Sequence, residues 1–285
     1  MKGKICIVTG SNSGIGKETA LALTDLGAIV IMAVRNWERG EGARKEIIEK
    51  TGSTKPKLML CDLSSMASVR QFAQRFLTEH DRLDVLINNA GAVFSRRQTT
   101  VDGFEQTLAV NYLGPFLLTH KLLPLLTSSA PSRIINLSSG LLKSGTIDFT
   151  DLQYENNYNG MRVYANAKLM IAMYTYELAR RLAATGVTVN VVLPGFVATN
   201  LGRNSGNPLQ SLMFKMMRPF QISARKGAET SIFLASSDEI LDVTGKCFEK
   251  KHVSTTSQIS YDAKLQARLL DTTFKLLDLE ASLKT

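Results

Sequence analysis

Short apolar runs alternate with stretches of helical composition along almost the whole 285-residue chain, and this alternation constrains the fold more than any single motif. The run KICIVT at 4–9 is followed by GSNSGIG and a helical pattern through Leu26; strand, glycine turn and helix is the order a βαβ unit needs. AIVIMAV at 28–34 lacks polar–apolar alternation, as expected of a parallel strand covered on both faces. The cycle repeats with a helix near 37–51, KLMLCDL at 57–63, a helix over 65–80 and LDVLINN at 83–89. Two helical segments around 102–128 lead to RIINLSS at 133–139, a helix carrying Tyr164, and VTVNVVLPG at 187–195. A helix at 225–236 and a last short strand near GKCFEK follow a polar, Met-rich region. This succession predicts an α/β fold: a doubly wound parallel sheet of about seven strands, helices on both faces, and ligands beyond the strands' carboxyl ends. No linker rich in Pro, Gly or Ser divides the chain and no internal repeat is visible, so one domain over 1–285 is expected.

Composition narrows the class. A 44% hydrophobic content at this length can bury a substantial core and excludes disorder or a fibrous repeat. Cys6, Cys61 and Cys247 are odd in number, far apart and in strand-like runs, with no CxxC or Cys/His pairing of the kind that binds zinc; reduced thiols and no metal are expected. MKGKICIVTG passes straight into a strand and lacks the apolar segment of a secretion signal. No apolar run approaches the roughly 20 residues that span a bilayer. A cytoplasmic protein with no membrane span is expected. The formal charge of +9 is spread over the chain and interleaved with 25 acidic residues, which favours a solvated surface with a local anion site over a nucleic-acid face.

The first glycine turn points to a phosphate. Gly10, Gly14 and Gly16, with Ser11, Asn12, Ser13 and Ile15 between them, permit a tight turn and close backbone approach, and the following helix offers free N–H groups to a pyrophosphate. Such turns also simply connect strands to helices. The second strand ends in Arg35, where an acid would hydrogen-bond the ribose of NAD and an arginine can pair with the 2′-phosphate of NADP. NADP(H) is therefore preferred over NAD(H), a solvated helix-start arginine being the bland alternative. Asp62, followed by Leu63, ends the third strand; it can accept from an adenine amino group, cap the helix that begins at Ser64 or Ser65, or do both. Asn89, Ala90 and Gly91 close the fourth strand in a turn that can pass beside a cofactor; alone they read as an ordinary turn.

Four polar residues carry the chemistry. Asn111 lies in a helix, Ser139 ends the fifth strand beside Ser138, and Tyr164 and Lys168 are four apart on the next helix, hence neighbours. The stripe Val163, Ala167, Met170, Tyr174 and Leu178 can pack on the sheet, leaving the pair at its edge, facing the crevice. A free tyrosine with a pKa of about 10 is a poor acid–base group at neutral pH; a nearby ammonium and a cofactor's positive charge are expected to lower it. A serine at the neighbouring strand end can donate to the same substrate oxygen.

In order, TGSNSGIG, NNAG, NYLG, NLSS, YANAK and LPG resemble the short-chain dehydrogenase/reductase family nearly from end to end. The resemblance implies a Rossmann-fold oxidoreductase using NAD(H) or NADP(H). It makes Tyr164 the general acid/base, Lys168 the residue that binds the nicotinamide ribose and lowers the tyrosine pKa, Ser139 the substrate-orienting hydroxyl, and Asn111 the holder of a helix and a relay water. Asn89, Pro194, Gly195, Val197 and Thr199 would line the cofactor, and Ser138 would bond within its strand end. The 25-residue separation of Ser139 from Tyr164 is long for the family; with RNWERGE after the second strand and the tail GKCFEKKHVSTTSQISYDAKLQARLL, it resembles the retinol dehydrogenase-like branch. Members of that branch typically use NADP(H) and many carry an N-terminal membrane segment, so a soluble relative and a membrane-associated protein trimmed of its anchor both fit. Family members often associate through the Tyr-bearing helix, which makes a homodimer one expectation.

Residues 196–224 contain SLMFKMMRPF, whose Leu212, Met213, Phe214, Met216 and Met217 suit an adaptable substrate lid, or packing on the core or a subunit interface. Together these readings favour an NADP(H)-dependent alcohol dehydrogenase/carbonyl reductase acting on a small apolar carbonyl or alcohol. A nucleotide-binding redox sensor or scaffold without turnover, and a double-bond reductase on the same fold, are the alternatives.

Overall fold

The computed structural model describes residues 1–197 and 221–280. Eight strands form one sheet in the order β3-β2-β1-β4-β5-β6-β7-β8. They are β1 (Ile5–Thr9), β2 (Ile29–Val34), β3 (Lys57–Leu60), β4 (Val85–Asn88), β5 (Ser132–Leu137), β6 (Val187–Leu193), β7 (Cys247–Glu249) and β8 (His252–Ser254). The pairs from β3 through β7 are parallel and β7–β8 is antiparallel. The fold is thus the expected Rossmann-type α/β arrangement, with one strand more than expected. The extra strand came from a two-residue reversal at Lys250 and Lys251, both left-handed at φ 51 and 68, in a stretch without the Asn-Gly or Gly-Gly signal of such turns.

The helices are α1 (Gly14–Asp25), α2 (Trp37–Thr51), α3 (Met66–Glu79), α4 (Gln106–Leu108), α5 (Gly114–Ser128), α6 (Gly160–Arg181), α7 (Ala224–Ser236) and α8 (Ala263–Leu276). Local chemistry sets their starts. Asn36 accepts from Arg39 N, Ser65 from Ser68 N, Asn159 from Met161 N and Arg162 N, and Asp262 from Lys264 N and Leu265 N. Two apolar layers flank the sheet. One joins alternate strand residues such as Ile7, Ile31 and Leu86 to α3, α5, α6 and α8; the other joins Val8, Val30 and Ile87 to α1, α2 and α7. Fully burying side chains such as Phe76 or Leu23 contributes about 1.5–3 kcal/mol each. The strand order reverses direction between β1 and β4, so the crevice opens there, at the carboxyl edge of the sheet.

Candidate active site

Residues that the sequence pattern singled out gather at that carboxyl edge. Gly10 follows β1 with φ 67, and a Cβ there would stand 3.0 Å from Ala90 Cα. A Cβ on Gly16 would stand 2.6 Å from Gly10 O and would collide with Asn89 Nδ2, so α1 closes on the turn after β4 because both glycines lack side chains. Asn89 Nδ2 donates to Thr9 O at 2.7 Å, and Asn89 N and Ala90 N both donate to Thr9 Oγ1 at 3.0 Å. Neither Asn89 nor Gly91 is left-handed. Ser13 begins α1 without a side-chain cap, which leaves first-turn N–H groups for a ligand, and the buried Ser11 hydroxyl has no partner. On the far side, a Cβ on Gly227 would stand 2.7 Å from Val197 Cγ2 and 3.3 Å from Ile15 Cγ1, so Ile15 and Val197 meet against α7.

Arg35 is exposed beyond β2 and makes no ion pair among the described residues. Asp62 does not cap α3. Its Oδ1 accepts from Ser64 N at 2.9 Å and Ser64 Oγ at 2.7 Å in a local turn, and Ser65 caps the helix that starts at Met66. Leu63 is buried and its carbonyl packs on Gly114. Gly195 is left-handed at φ 82, and Pro194 precedes it after β6. Thr199 lies outside the described residues, as do the five apolar residues assigned to a lid and most of 196–224.

Asn111 lies in a π-helical turn, Ala109–Leu113, that joins α4 to α5. The cause is visible two residues on. Pro115 cannot donate the regular bond to the Asn111 carbonyl and its ring would press on that oxygen, so the backbone widens and Gly114 N bonds Ala109 O instead. Asn111 Nδ2 donates to Ala92 O and Thr107 O, both at 2.7 Å, and its Oδ1 accepts from Ala92 N at 3.3 Å, which ties the turn to the segment after β4.

Tyr164 and Lys168 are 5% and 3% exposed. The expected stripe is buried, but so is nearly the whole of α6, so the pair does not sit at an exposed edge. Lys168 Nζ lies 5.6 Å from the centre of the Tyr164 ring and donates to Leu137 O at 3.0 Å. Ser138 bonds across to α6, its Oγ donating to Lys168 O at 2.7 Å, rather than within the strand end. Ser139 accepts from Leu141 N at 3.3 Å and starts a short 3-10 turn. Burial pushes the Tyr164 phenol up to about 12, against a lowering by the Ser139 hydroxyl, and pushes the Lys168 ammonium down to about 8. The expected lowering includes the positive charge of a bound cofactor; in the protein alone, removal from water sets the direction of both shifts.

A buried polar chain behind the site escaped the sequence reading. Asn88 Nδ2 donates to Thr119 Oγ1 at 2.9 Å and to Asn136 Oδ1 at 2.8 Å, and Asn136 Nδ2 donates to Thr175 Oγ1 at 2.9 Å. It links β4 and β5 to α5 and α6. An Asn inside an otherwise apolar parallel strand, in LIN and IINL, was its available signal. Glu105, fully buried, likewise accepts from Thr107 N, Leu108 N and the Tyr158 hydroxyl, joining the start of α4 to the loop before α6.

The family model described as short chain dehydrogenase matches residues 4–209. Human retinol dehydrogenase 13 is 42% identical over 98% of this chain and 86% of its own length. Among solved structures, an uncharacterised protein from Mycobacterium Paratuberculosis superposes with a TM-score of 0.80 at 30% identity, covering 98% of this chain and 95% of that one. An active-site complex of Pseudomonas aeruginosa RhlG with NADP superposes with a TM-score of 0.70 at 27% identity, over 87% of this chain and 95% of that one.

Proposed function

The chain belongs to the short-chain dehydrogenase family, in its retinol dehydrogenase-like branch, and from that premise we propose an NADP(H)-dependent oxidoreductase of apolar aldehydes, ketones or alcohols, with Tyr164 as general acid/base. The observation that carries the reading is the buried Tyr164–Lys168 pair held against the end of β5, where Ser138 fastens the helix and Ser139 adjoins the phenol. A bound nicotinamide supplies or takes up the hydride. Without a cofactor, burial keeps the Tyr164 phenol protonated, the form that can give a proton to a developing alkoxide; the positive charges of Lys168 and of a bound nicotinamide would lower its pKa toward working pH. Ser139 Oγ donates a hydrogen bond to the same oxygen. Lys168, held by Leu137 O, binds the ribose next to the nicotinamide, and Asn111 anchors the turn that completes the proton path.

The residues at the sheet edge fit a dinucleotide. Unsatisfied Ser11 Oγ and uncapped N–H groups of α1 suit a pyrophosphate, with Gly10, Gly14 and Gly16 giving it room, and Asn89, Gly195 and Val197 flank the same edge. Arg35, exposed and without an ion pair among the described residues, suits a 2′-phosphate, in keeping with the NADP complex of the Pseudomonas aeruginosa relative. Leu141, two residues after Ser139, and Phe196, directly after Gly195, are each 42% exposed and favour an apolar substrate, as does the retinol named for the human relative.

Turnover of retinal with NADPH, within a panel of aldehydes and ketones, is the direct test. Tyr164→Phe should abolish it while NADPH still binds, as read by nicotinamide fluorescence; undiminished turnover refutes the assignment. Arg35→Asp should shift preference from NADPH toward NADH by about tenfold or more, and an unchanged ratio of kcat/KM values would show that Arg35 does not read the phosphate.

A further inference from the structure

We propose that Thr273, on the C-terminal helix α8, is a positioning residue for the active site: through the hydroxyl of Tyr112 it holds the π-helical turn that carries Asn111. Its consequence for turnover rests on the role given to Asn111 above; the physical coupling does not.

Thr273 Oγ1 donates to Leu269 O one turn back at 2.7 Å, so in its 2.7 Å contact with Tyr112 the phenol is the donor. Both residues are 1% exposed, and the bond joins chain segments 161 residues apart. Tyr112 directly follows Asn111 in the turn. That turn has given up a regular backbone bond at Pro115, so its side-chain contacts have more of the work of fixing it. Asn111 is held on one side by Ala92 and Thr107, while Tyr112 points into the apolar layer that it shares with α8, which receives its hydroxyl.

Aromatic packing runs through the same point. Phe274, next to Thr273, stands edge-on to Phe116 with centroids 5.4 Å apart. Tyr174 of α6 meets Phe116 at 4.7 Å and Tyr112 at 6.5 Å. One helix therefore touches the turn that carries Asn111 through Thr273 and is linked, by way of Phe116 and Tyr174, to the helix that carries Tyr164. The helix is itself fixed at each end, by the Asp262 cap and by Arg70, whose Nη2 donates to Leu277 O at 3.1 Å.

The experiment compares Thr273→Val, which keeps the shape and removes the acceptor, with Thr273→Ser, which keeps the hydroxyl, and with Tyr112→Phe. With retinal and NADPH, Thr273→Val and Tyr112→Phe should each lower kcat roughly three- to tenfold, from the loss of the buried interhelical hydrogen bond that both remove; the bond from Thr273 to Leu269 O, lost only in the valine variant, is local to α8. KM for NADPH should stay unchanged and the solvent isotope effect on kcat should rise. The double variant should lose no more than either single one, because both remove the same bond. Thr273→Ser should restore most of the rate. Amide exchange over 109–114, which needs no substrate, should accelerate in Thr273→Val and Tyr112→Phe and stay slow in Thr273→Ser. Unchanged exchange in Thr273→Val, additive losses in the double variant, or a serine variant as impaired as the valine would overturn the proposal. So would equal acceleration in Asp84→Asn, a variant at the opposite edge of the sheet, since that would indicate only global loosening. Persistent turnover in Tyr164→Phe would instead strike the catalytic reading and leave the exchange result to decide the coupling.

Discussion

Lys168 is a buried ammonium with a single carbonyl partner, and that environment makes the site costly to the fold. Because burial lowers its folded pKa to about 8, below the 10.5 of a free lysine side chain, the unfolded chain binds more protons between those values. The penalty is therefore fully present below about pH 8 and is relieved as pH rises from about 8 to 10.5; each unit of separation corresponds to about 1.4 kcal/mol. Lys168→Met should accordingly be more stable than the natural chain at pH 7, with the difference between their urea midpoints shrinking at pH 9.5. A constant difference across that range would place the lysine in a better-solvated setting. Tyr164 runs the other way, since a raised phenol pKa costs stability only above about pH 10, as pH rises toward 12. The pairing of these two residues was legible from their spacing alone. The direction of the tyrosine shift was not, because it depends on how thoroughly α6 is covered.

At the scale of elements, the junction of β1, α1 and β4 shows how backbone proximity shapes a ligand edge. Gly16→Ala places a methyl 2.6 Å from Gly10 O, a backbone atom that cannot move away without displacing the turn. The expected cost is about 1–3 kcal/mol in stability, accompanied by a weaker NADPH affinity in a fluorescence titration. Wild-type affinity would mean that the first turn of α1 does not contact the cofactor. The glycine spacing announced this junction. The π-helical turn was half legible: Pro115 stands in the sequence inside an otherwise helical pattern, but the outcome, a widened turn and not a break, required the contacts of Asn111 with Ala92 and Thr107. The C-terminal helix lay in a tail read only for its resemblance, and what it covers could not be inferred from its own residues.

Across the whole molecule the two edges of the sheet are built differently. At the amino edge, Asp84 is buried and accepts from Lys4 Nζ at 2.9 Å, Ile5 N at 2.8 Å, and Arg82 Nε and Nη2 at 3.1 and 2.5 Å. Burial opposes its ionisation, but Arg82, Lys4 and the Ile5 N–H together hold its carboxyl below the usual range. The groups around Asp84 are satisfied by one another, whereas at the carboxyl edge Ser11 Oγ has no partner and the first turn of α1 has no side-chain cap. Asp84→Asn should cost about 2 kcal/mol at pH 7 without changing NADPH affinity or kcat at 25 °C. A lowered carboxyl pKa adds stability above the unfolded value of 3.8 that is lost as pH falls through the folded one, so the natural chain should lose its advantage over the asparagine variant in acid. An advantage that persists well below pH 3 would show that packing, not charge, is what the aspartate provides.

The sequence by itself determined the alternation of strands and helices, the parallel sheet and the set of residues that meet at its carboxyl edge, because each follows from short-range periodicity, glycine sterics and residue chemistry at fixed spacing. Tertiary structure alone decided the environment of those residues. Ser138 fastens α6 instead of its own strand, and the Tyr164 phenol is buried and shifted upward, each because of a partner or a layer supplied from elsewhere in the chain. The physical reason is one of range. Hydrogen-bond geometry within a turn is set by neighbours in sequence, while desolvation is set by everything that packs around a group, including a helix more than a hundred residues away.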